Sequence, residues 1–282
     1  NPLRRCAFAS APISAERDGK HMISEQLDFT GKVAIVTGGA TGIGYATALQ
    51  LARLGASVVI CSRTVDELEK AAAQIAKESG SKCLAVPTDV KNEQACIALV
   101  ERTMEAFGRV DVLINNAGGT RMGPLEAIPT KGWDSIFDLN VKSAYILTRE
   151  AGKHMIAQKS GAIVSISSGA GVNGVKGGAH YSAAKSALQM FTKVTAAEWG
   201  KYGIRANCVA AGAIASPRVL HAWDAANLDM DVLTAATPLR RTGTPEEMAN
   251  MIVFFASDAA SYITGQTISV DGGPNLGGIP DA

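Results

Sequence analysis

The chain has no run of eighteen apolar residues, so no segment reads as a transmembrane helix and a membrane is not an expected partner. It also has no C-x-x-C pair. Its five cysteines, Cys6, Cys61, Cys83, Cys96 and Cys208, are scattered. That pattern excludes a zinc or disulfide framework. Three of them lie in or beside apolar strand-like runs and read as reduced interior thiols, which favours a reducing, cytoplasmic compartment. Neither sign of charge is in excess, since the formal net charge is +1. No basic cluster is interleaved with aromatics, so nucleic acid is not an expected partner. No linker rich in proline, serine or charge and no repeat of fixed period breaks the chain after Phe29, which argues for one domain. What is present, 47% hydrophobic and 19% charged residues over 282 positions, suits a globular protein with a sizeable core. Its partners are then small molecules or other subunits.

The first residues differ in kind. Residues 1–28 lack periodicity, carry Arg4, Arg5, Ser10 and Ser14, and have no acid before Glu16. An organelle transit peptide has that composition. Met22 offers an internal start, however, and an extraneous upstream extension is the simpler reading. We expect it to be irregular and to stand outside the fold, with residues 29–282 forming the catalytic domain.

From Phe29 onward short apolar runs alternate with amphipathic stretches. Strands are expected at Lys32–Thr37, Ser57–Ser62, Lys82–Val86, Val110–Ile114, Gly161–Ser167, Ile204–Val209 and Thr267–Val270. Helices are expected at Ile43–Leu54, Val65–Glu78, Asn92–Phe107, Trp133–Gln158, Tyr181–Lys201 and Pro245–Ala256. Several strands are apolar throughout, as when both faces of a sheet are covered. This pattern predicts an α/β, Rossmann-type domain: a doubly wound parallel sheet of about seven strands with helices on both faces. Ligands of such sheets bind at the carboxyl ends of the strands, so the chemistry is sought there.

The first strand ends in TGGATGIG, residues 37–44. Glycines at 38, 42 and 44 let a turn tighten and bring backbone N–H groups toward a pyrophosphate at the start of the following helix. The second strand ends in Ser62-Arg63, without the acid that would accept from a ribose 2′-hydroxyl; a serine and an arginine can instead hold a 2′-phosphate. NADP(H) is therefore preferred over NAD(H). Asp66 lies inside the next helix start, where a carboxylate suits the helix dipole. The fifth strand leads to Ser168, thirteen residues before Tyr181, with Lys185 one helical turn beyond the tyrosine. A phenol can move a proton, a cation eases its loss, and a hydroxyl can hold a substrate oxygen.

TGGATGIG, Asn115-Asn116-Ala117-Gly118, Asn140 in DLNVKS, Ser168, Tyr181, Lys185 and the final Asp-Gly-Gly at 271–273 together resemble the classical short-chain dehydrogenase/reductases over Phe29 to Pro274. The resemblance implies that Gly38, Thr41, Gly42, Ile43 and Gly44 meet the pyrophosphate, Asp89 and Val90 the adenine, and Asn115, Asn116, Ala117 and Gly118 the ribose and central sheet. It further implies that Ser168 orients the substrate oxygen and that Tyr181 is general acid in reduction and base in oxidation. Lys185 would bind the nicotinamide ribose and lower the tyrosine pKa, and Asn140 would hold a water linking Lys185 to solvent. Gly212, Ile214 and Ser216 would contact the nicotinamide. His180 is expected to be a non-catalytic neighbour, and Asp134 and Asp138 have no partner at ligand spacing, so no metal is assigned. One departure is Ala211-Gly212 where the family has Pro-Gly, which predicts a looser start to the following loop.

That loop, residues 213–241, carries Val219, Leu220, Trp223, Leu228, Met230, Val232 and Leu233. They suit either an apolar lid over a substrate or a short helix packed on the core. The leading expectation is hydride transfer between nicotinamide and a ketone or secondary alcohol, with a 3-oxoacyl thioester as one substrate. TGGATGIG, Ser62-Arg63 and AAEWGKYGIR at 196–205 also resemble enoyl- and dienoyl-CoA reductases, which often lack the tyrosine. A nucleotide-binding sensor or scaffold is the non-enzymatic alternative. Long helices at Val141–Gln158 and Tyr181–Lys201 carry apolar residues beyond one stripe, and the resemblance implies a homotetramer.

Overall fold

The computed structural model describes residues 22–225, 227–235 and 237–274. Among them β1 (Val33–Thr37), β2 (Ser57–Ser62), β3 (Cys83–Pro87), β4 (Val112–Asn115), β5 (Gly161–Ser168), β6 (Ile204–Ala211) and β7 (Thr267–Val270) form one parallel sheet in the order β3-β2-β1-β4-β5-β6-β7. The chain winds outward from β1 to β3, then returns to lay β4 against the other side of β1. The doubly wound parallel sheet is thus as expected. Its switch point lies between β1 and β4, whose carboxyl ends open a crevice.

Period-two alternation splits the core over the two faces. Ala34 and Val36 of β1 join α2 (Gly42–Arg53), α3 (Val65–Ser79) and α11 (Pro245–Ala256). Val33 and Ile35 join α4 (Glu93–Phe107), α6 (Ser143–Gln158) and the end of α8 (Ala179–Trp199). Because both faces are covered, all five residues of β1 are buried. Cys61, Cys83, Cys96 and Cys208 are free thiols. Burial pushes Cys61 and Cys83 up to about 12 and Cys96 and Cys208 up to about 11, so all four stay protonated and unreactive. Cys6 lies outside the described residues.

Four expectations need correction. The helix expected over Trp133–Gln158 is not continuous: α5 (Thr130–Phe137) is followed by a π-turn at Asp138–Lys142 and only then by α6. Asn140 Nδ2 donates to Ile136 O at 2.9 Å. The side chain so occupies the carbonyl its own backbone N–H would use, and the ladder widens by a residue. The segment before Phe29 is not wholly irregular, since Ile23–Gln26 forms a single helical turn, α1; residues 1–21 lie outside the described residues. The loop after β6 is not loose at its start, because β6 runs on to Ala211, whose carbonyl accepts from Gly169 N at 2.9 Å while Gly212 N donates to Val270 O at 2.9 Å. Finally, residues 213–241 do not pack a helix on the core. They form α9 (Pro217–Ala225) and α10 (Met230–Ala235), and no described residue from 217 to 242 is buried; the side chain of Leu233 lies outside the described ones. A four-residue helix, α7 (Ala170–Asn173), follows β5.

Candidate active site

The glycine turn between β1 and α2 is shaped for close approach. Gly38 and Gly42 have φ of 64° and 56°, and a Cβ on Gly44 would strike the Gly38 carbonyl and come 2.6 Å from Asn116 Nδ2. Only glycine fits there. Thr41 is the extended residue before the helix, and Ile43 lies half-buried in its first turn. The free N–H groups of the first turn of α2 therefore face the crevice. An anionic pyrophosphate fits that cradle.

The turn is braced from β4. Thr37 Oγ1 accepts from the backbone N–H groups of Asn116 and Ala117, both at 2.9 Å, and donates to Ile114 O at 3.1 Å. Asn116 Nδ2 donates to Thr37 O at 2.7 Å and Gly38 O at 3.3 Å. Asn116 thus holds the turn through its side chain, and Thr37 is a partner that motif reading passed over; a hydroxyl at the last position of an apolar strand was its only signal. Asn115 is buried and donates through Nδ2 to Thr148 Oγ1 at 3.1 Å.

At the ends of β2 and β3, Ser62 Oγ donates to Thr64 O at 3.3 Å, and Arg63 is exposed. Asp66 stands in the first turn of α3. Asp89 Oδ1 accepts from Lys91 N at 3.1 Å, and Val90 is buried beside it.

Asn140, Ser168, Tyr181 and Lys185 gather near the ends of β4 and β5. Asn140 is buried in the π-turn, where Nδ2 donates to Gly119 O at 2.9 Å and Oδ1 accepts from Gly119 N at 3.2 Å. A Cβ on Gly118 would lie 2.8 Å from Asn140 Oδ1 and 3.1 Å from Lys185 Nζ. Asn140 and Lys185 therefore converge on the Gly118 backbone from different elements. Lys185 Nζ donates to Ile166 O at 2.7 Å and lies 5.7 Å from the centroid of the Tyr181 ring. Ser168, at the tip of β5, accepts from Ala170 N through Oγ at 3.2 Å.

Burial pushes the Tyr181 phenol above its ordinary 10.0, and a hydrogen bond with Ser168 opposes the shift. The net direction is upward, not the lowering expected from Lys185. Burial brings Lys185 itself down from 10.5 to about 8. Two residues that motif reading passed over, Ser167 and Gln189, fix this region. Ser167 Oγ donates to the Lys185 carbonyl at 2.9 Å and accepts from Gln189 Nε2 at 2.9 Å. His180 is buried in the first turn of α8 with Nδ1 unpartnered.

Gly212 packs against Asp271, where a Cβ would come 2.5 Å from the Asp271 Cα. Ile214 is buried and bridges to Gly243. Ser216, also buried, has its Cβ 3.1 Å from the position a Cβ would take on Gly42. Those three positions thus run beside the glycine turn. Asp138 pairs with Lys142 at 3.5 Å, and no group of three His, Cys, Asp or Glu side chains able to hold a metal is found among the described residues.

Residues 38–275 match a family model described as enoyl-(acyl carrier protein) reductase. The chain is 41% identical over 245 residues to a 3-oxoacyl-[acyl-carrier-protein] reductase of Synechocystis sp., covering 86% of this chain and 97% of that protein. It is 32% identical over 253 residues to a peroxisomal 2,4-dienoyl-CoA reductase of Danio rerio, covering 90% and 84% of the two chains. Among solved structures, levodione reductase superposes with a TM-score of 0.83 at 31% identity, over 86% of this chain and 97% of that one.

Proposed function

This chain belongs to the classical short-chain dehydrogenase/reductase family, oxidoreductases acting on alcohol and carbonyl groups, and from that premise we propose that it is an NADP(H)-dependent reductase of ketones, with 3-oxoacyl thioesters among its substrates. Residues 29–282 serve as one catalytic domain and 213–241 as its substrate loop. The observation that carries the reading is the convergence of Asn140 Oδ1 and Lys185 Nζ on Gly118, beside the crevice into which the glycine turn opens.

Bound NADPH supplies the hydride. The chain's own groups do the rest. Ser168 holds the carbonyl oxygen by hydrogen bond, and Tyr181 gives its phenolic proton to that oxygen as the carbonyl carbon is reduced, leaving a secondary alcohol and a phenolate. Lys185, protonated at neutral pH with its pKa at about 8, stabilises that phenolate. Asn140 holds the Gly119 backbone on one side and reaches toward Lys185 on the other, the position from which a water would return a proton. Gly38, Thr41, Gly42, Ile43 and Gly44 hold the pyrophosphate, Asp89 and Val90 the adenine, and Gly212, Ile214 and Ser216 the nicotinamide side. Asn116, Ala117 and Gly118 line the ribose wall. The preference for NADP(H) rests on Ser62 and Arg63, which lack a competing carboxylate.

A homotetramer fits the exposed apolar faces of α6 and α8, where Tyr145, Met190 and Val194 are 44%, 58% and 46% accessible. A cytoplasmic location fits the four free thiols. The second reading, reduction of an enoyl or dienoyl thioester, is favoured by the description of the family model and by the dienoyl-CoA reductase relative.

The deciding assay follows NADPH and NADH oxidation side by side with acetoacetyl-CoA, a diketone and an enoyl-CoA, for the wild type and Tyr181→Phe. Carbonyl turnover with NADPH that falls by about a thousandfold in the variant is expected, the scale of a lost general acid. Turnover of the enoyl thioester alone, undiminished by the substitution, would select the second reading.

A further inference from the structure

We propose that the site contains an oxyanion subsite, formed by Arg218 with Arg121 and Lys176, that binds a carboxylate or phosphate carried by the substrate away from its reacting carbonyl. The proposal rests on the carbonyl-reductase reading above and names the class of substrate that reading leaves open.

The lid springs from one wall of the crevice and reaches the other. Ser216 lies against Gly42 in the glycine turn; two residues later, at the start of α9, the Nη2 of Arg218 stands 3.2 Å from where a Cβ on Gly119 would be. Gly119 is the residue whose N–H and C=O are both held by Asn140. Its neighbour Gly118 faces Lys185 Nζ. A guanidinium therefore stands beside the backbone that Asn140 holds, one residue from the one that faces Lys185 Nζ.

Two more cations come from the loops next to it. Gly123 N donates to Gly177 O at 2.8 Å, which laces the segment after β4 to the segment after α7. Arg121 and Lys176 sit two residues and one residue from that link, and both are exposed. Among the described residues none of the three cations makes a hydrogen bond or a salt bridge. The nearby acids are differently placed. Asp229 is engaged as a cap, its Oδ1 accepting from Asp231 N and Val232 N. Asp224 lies six residues along α9 from Arg218, about 9 Å of helix rise.

Long cations without a carboxylate partner gain nothing for the fold. A planar guanidinium makes paired hydrogen bonds to a carboxylate or a phosphate. Met122 and Val175 on the same two loops, Val172 of α7 and Leu220 of α9, all exposed, supply apolar surface for the body of a substrate whose charged end lies farther out. Two sources of oxyanion fit: the carboxylate of an oxo acid, and the phosphates of a phosphopantetheine thioester.

The test uses matched pairs differing in that charge. Values of kcat/KM for 4-oxocyclohexanecarboxylate against its methyl ester, and for acetoacetyl-CoA against the acetoacetyl thioester of N-acetylcysteamine, are measured for the wild type, Arg218→Ala and Arg218→Lys. NADPH affinity is read in parallel by fluorescence titration. The wild type should favour the anionic member of one pair by about tenfold or more, the scale of a charged hydrogen bond. That ratio should fall toward one in Arg218→Ala through KM and be partly kept in Arg218→Lys, with the NADPH dissociation constant unmoved. The pair that responds names the source. Equal loss on both members of each pair, an unchanged ratio, or weakened NADPH binding would overturn the subsite while leaving the reductase in place. No turnover of any ketone, neutral or charged, would overturn both.

Discussion

Lys185 is fully enclosed and donates its ammonium to the Ile166 carbonyl, and enclosing that charge costs stability. Its pKa in the folded protein is about 8 against an ordinary 10.5. Between those two values the unfolded chain holds the proton more firmly, so stability rises with pH across that window. Below about 8 the folded protein carries the whole cost of the buried ammonium, about 3 kcal/mol from the size of the shift. Lys185→Met should therefore be inactive yet melt above the wild type at pH 7, by less than the full amount because the bond to Ile166 O is lost. The gain should shrink as pH rises from 8 toward 10.5. Thermal melts of both proteins across that range check it; a difference constant with pH would show that the enclosed charge is not the cause. Ser168, Tyr181 and Lys185 were legible from spacing because strand end and helix turn impose it. The pKa directions were not, since burial follows from packing that the sequence does not display.

The link between β1 and β4 shows how an element positions chemistry it does not perform. Thr37 Oγ1 satisfies two backbone N–H groups of the following loop and gives its own proton to Ile114 O, in a residue 1% exposed. Thr37→Val keeps the shape and leaves the Ala117 N–H without its partner, while Asn116 N retains the Ile114 carbonyl at 3.0 Å. We expect a loss of about 2 kcal/mol or more in a denaturant titration, together with weaker NADPH binding, because the glycine turn is braced by the same residues. Unchanged stability would mean that the loop finds other partners. The π-turn that carries Asn140 is the matching case on the helical side. Helical periodicity over Trp133–Gln158 could not reveal it, because the competition is between one amide side chain and one backbone donor for a single carbonyl.

At the scale of the whole molecule, two long helices leave apolar side chains uncovered. Tyr145 of α6 meets Phe191 of α8 edge-on at 6.3 Å, and Met190 and Val194 continue the surface along α8. A surface of this kind is expected to be covered by another subunit. Light scattering should give four times the chain mass for the wild type and a smaller assembly for a Met190→Asp, Val194→Asp double variant; a wild-type monomer would rule the tetramer out.

By itself the sequence determined the parallel sheet, since strands apolar on both faces and separated by amphipathic helices have no other way to bury themselves. It also determined the glycine turn and the serine, tyrosine and lysine spacing, because those follow from local geometry along one strand end and one helix turn. Only the tertiary structure decided that Asn140 clasps Gly119, that Asn116 and Thr37 brace the glycine turn, and that Arg218 of α9 comes beside Gly119. Each of those contacts joins residues far apart in the chain, and which side chains meet there depends on how separate elements pack.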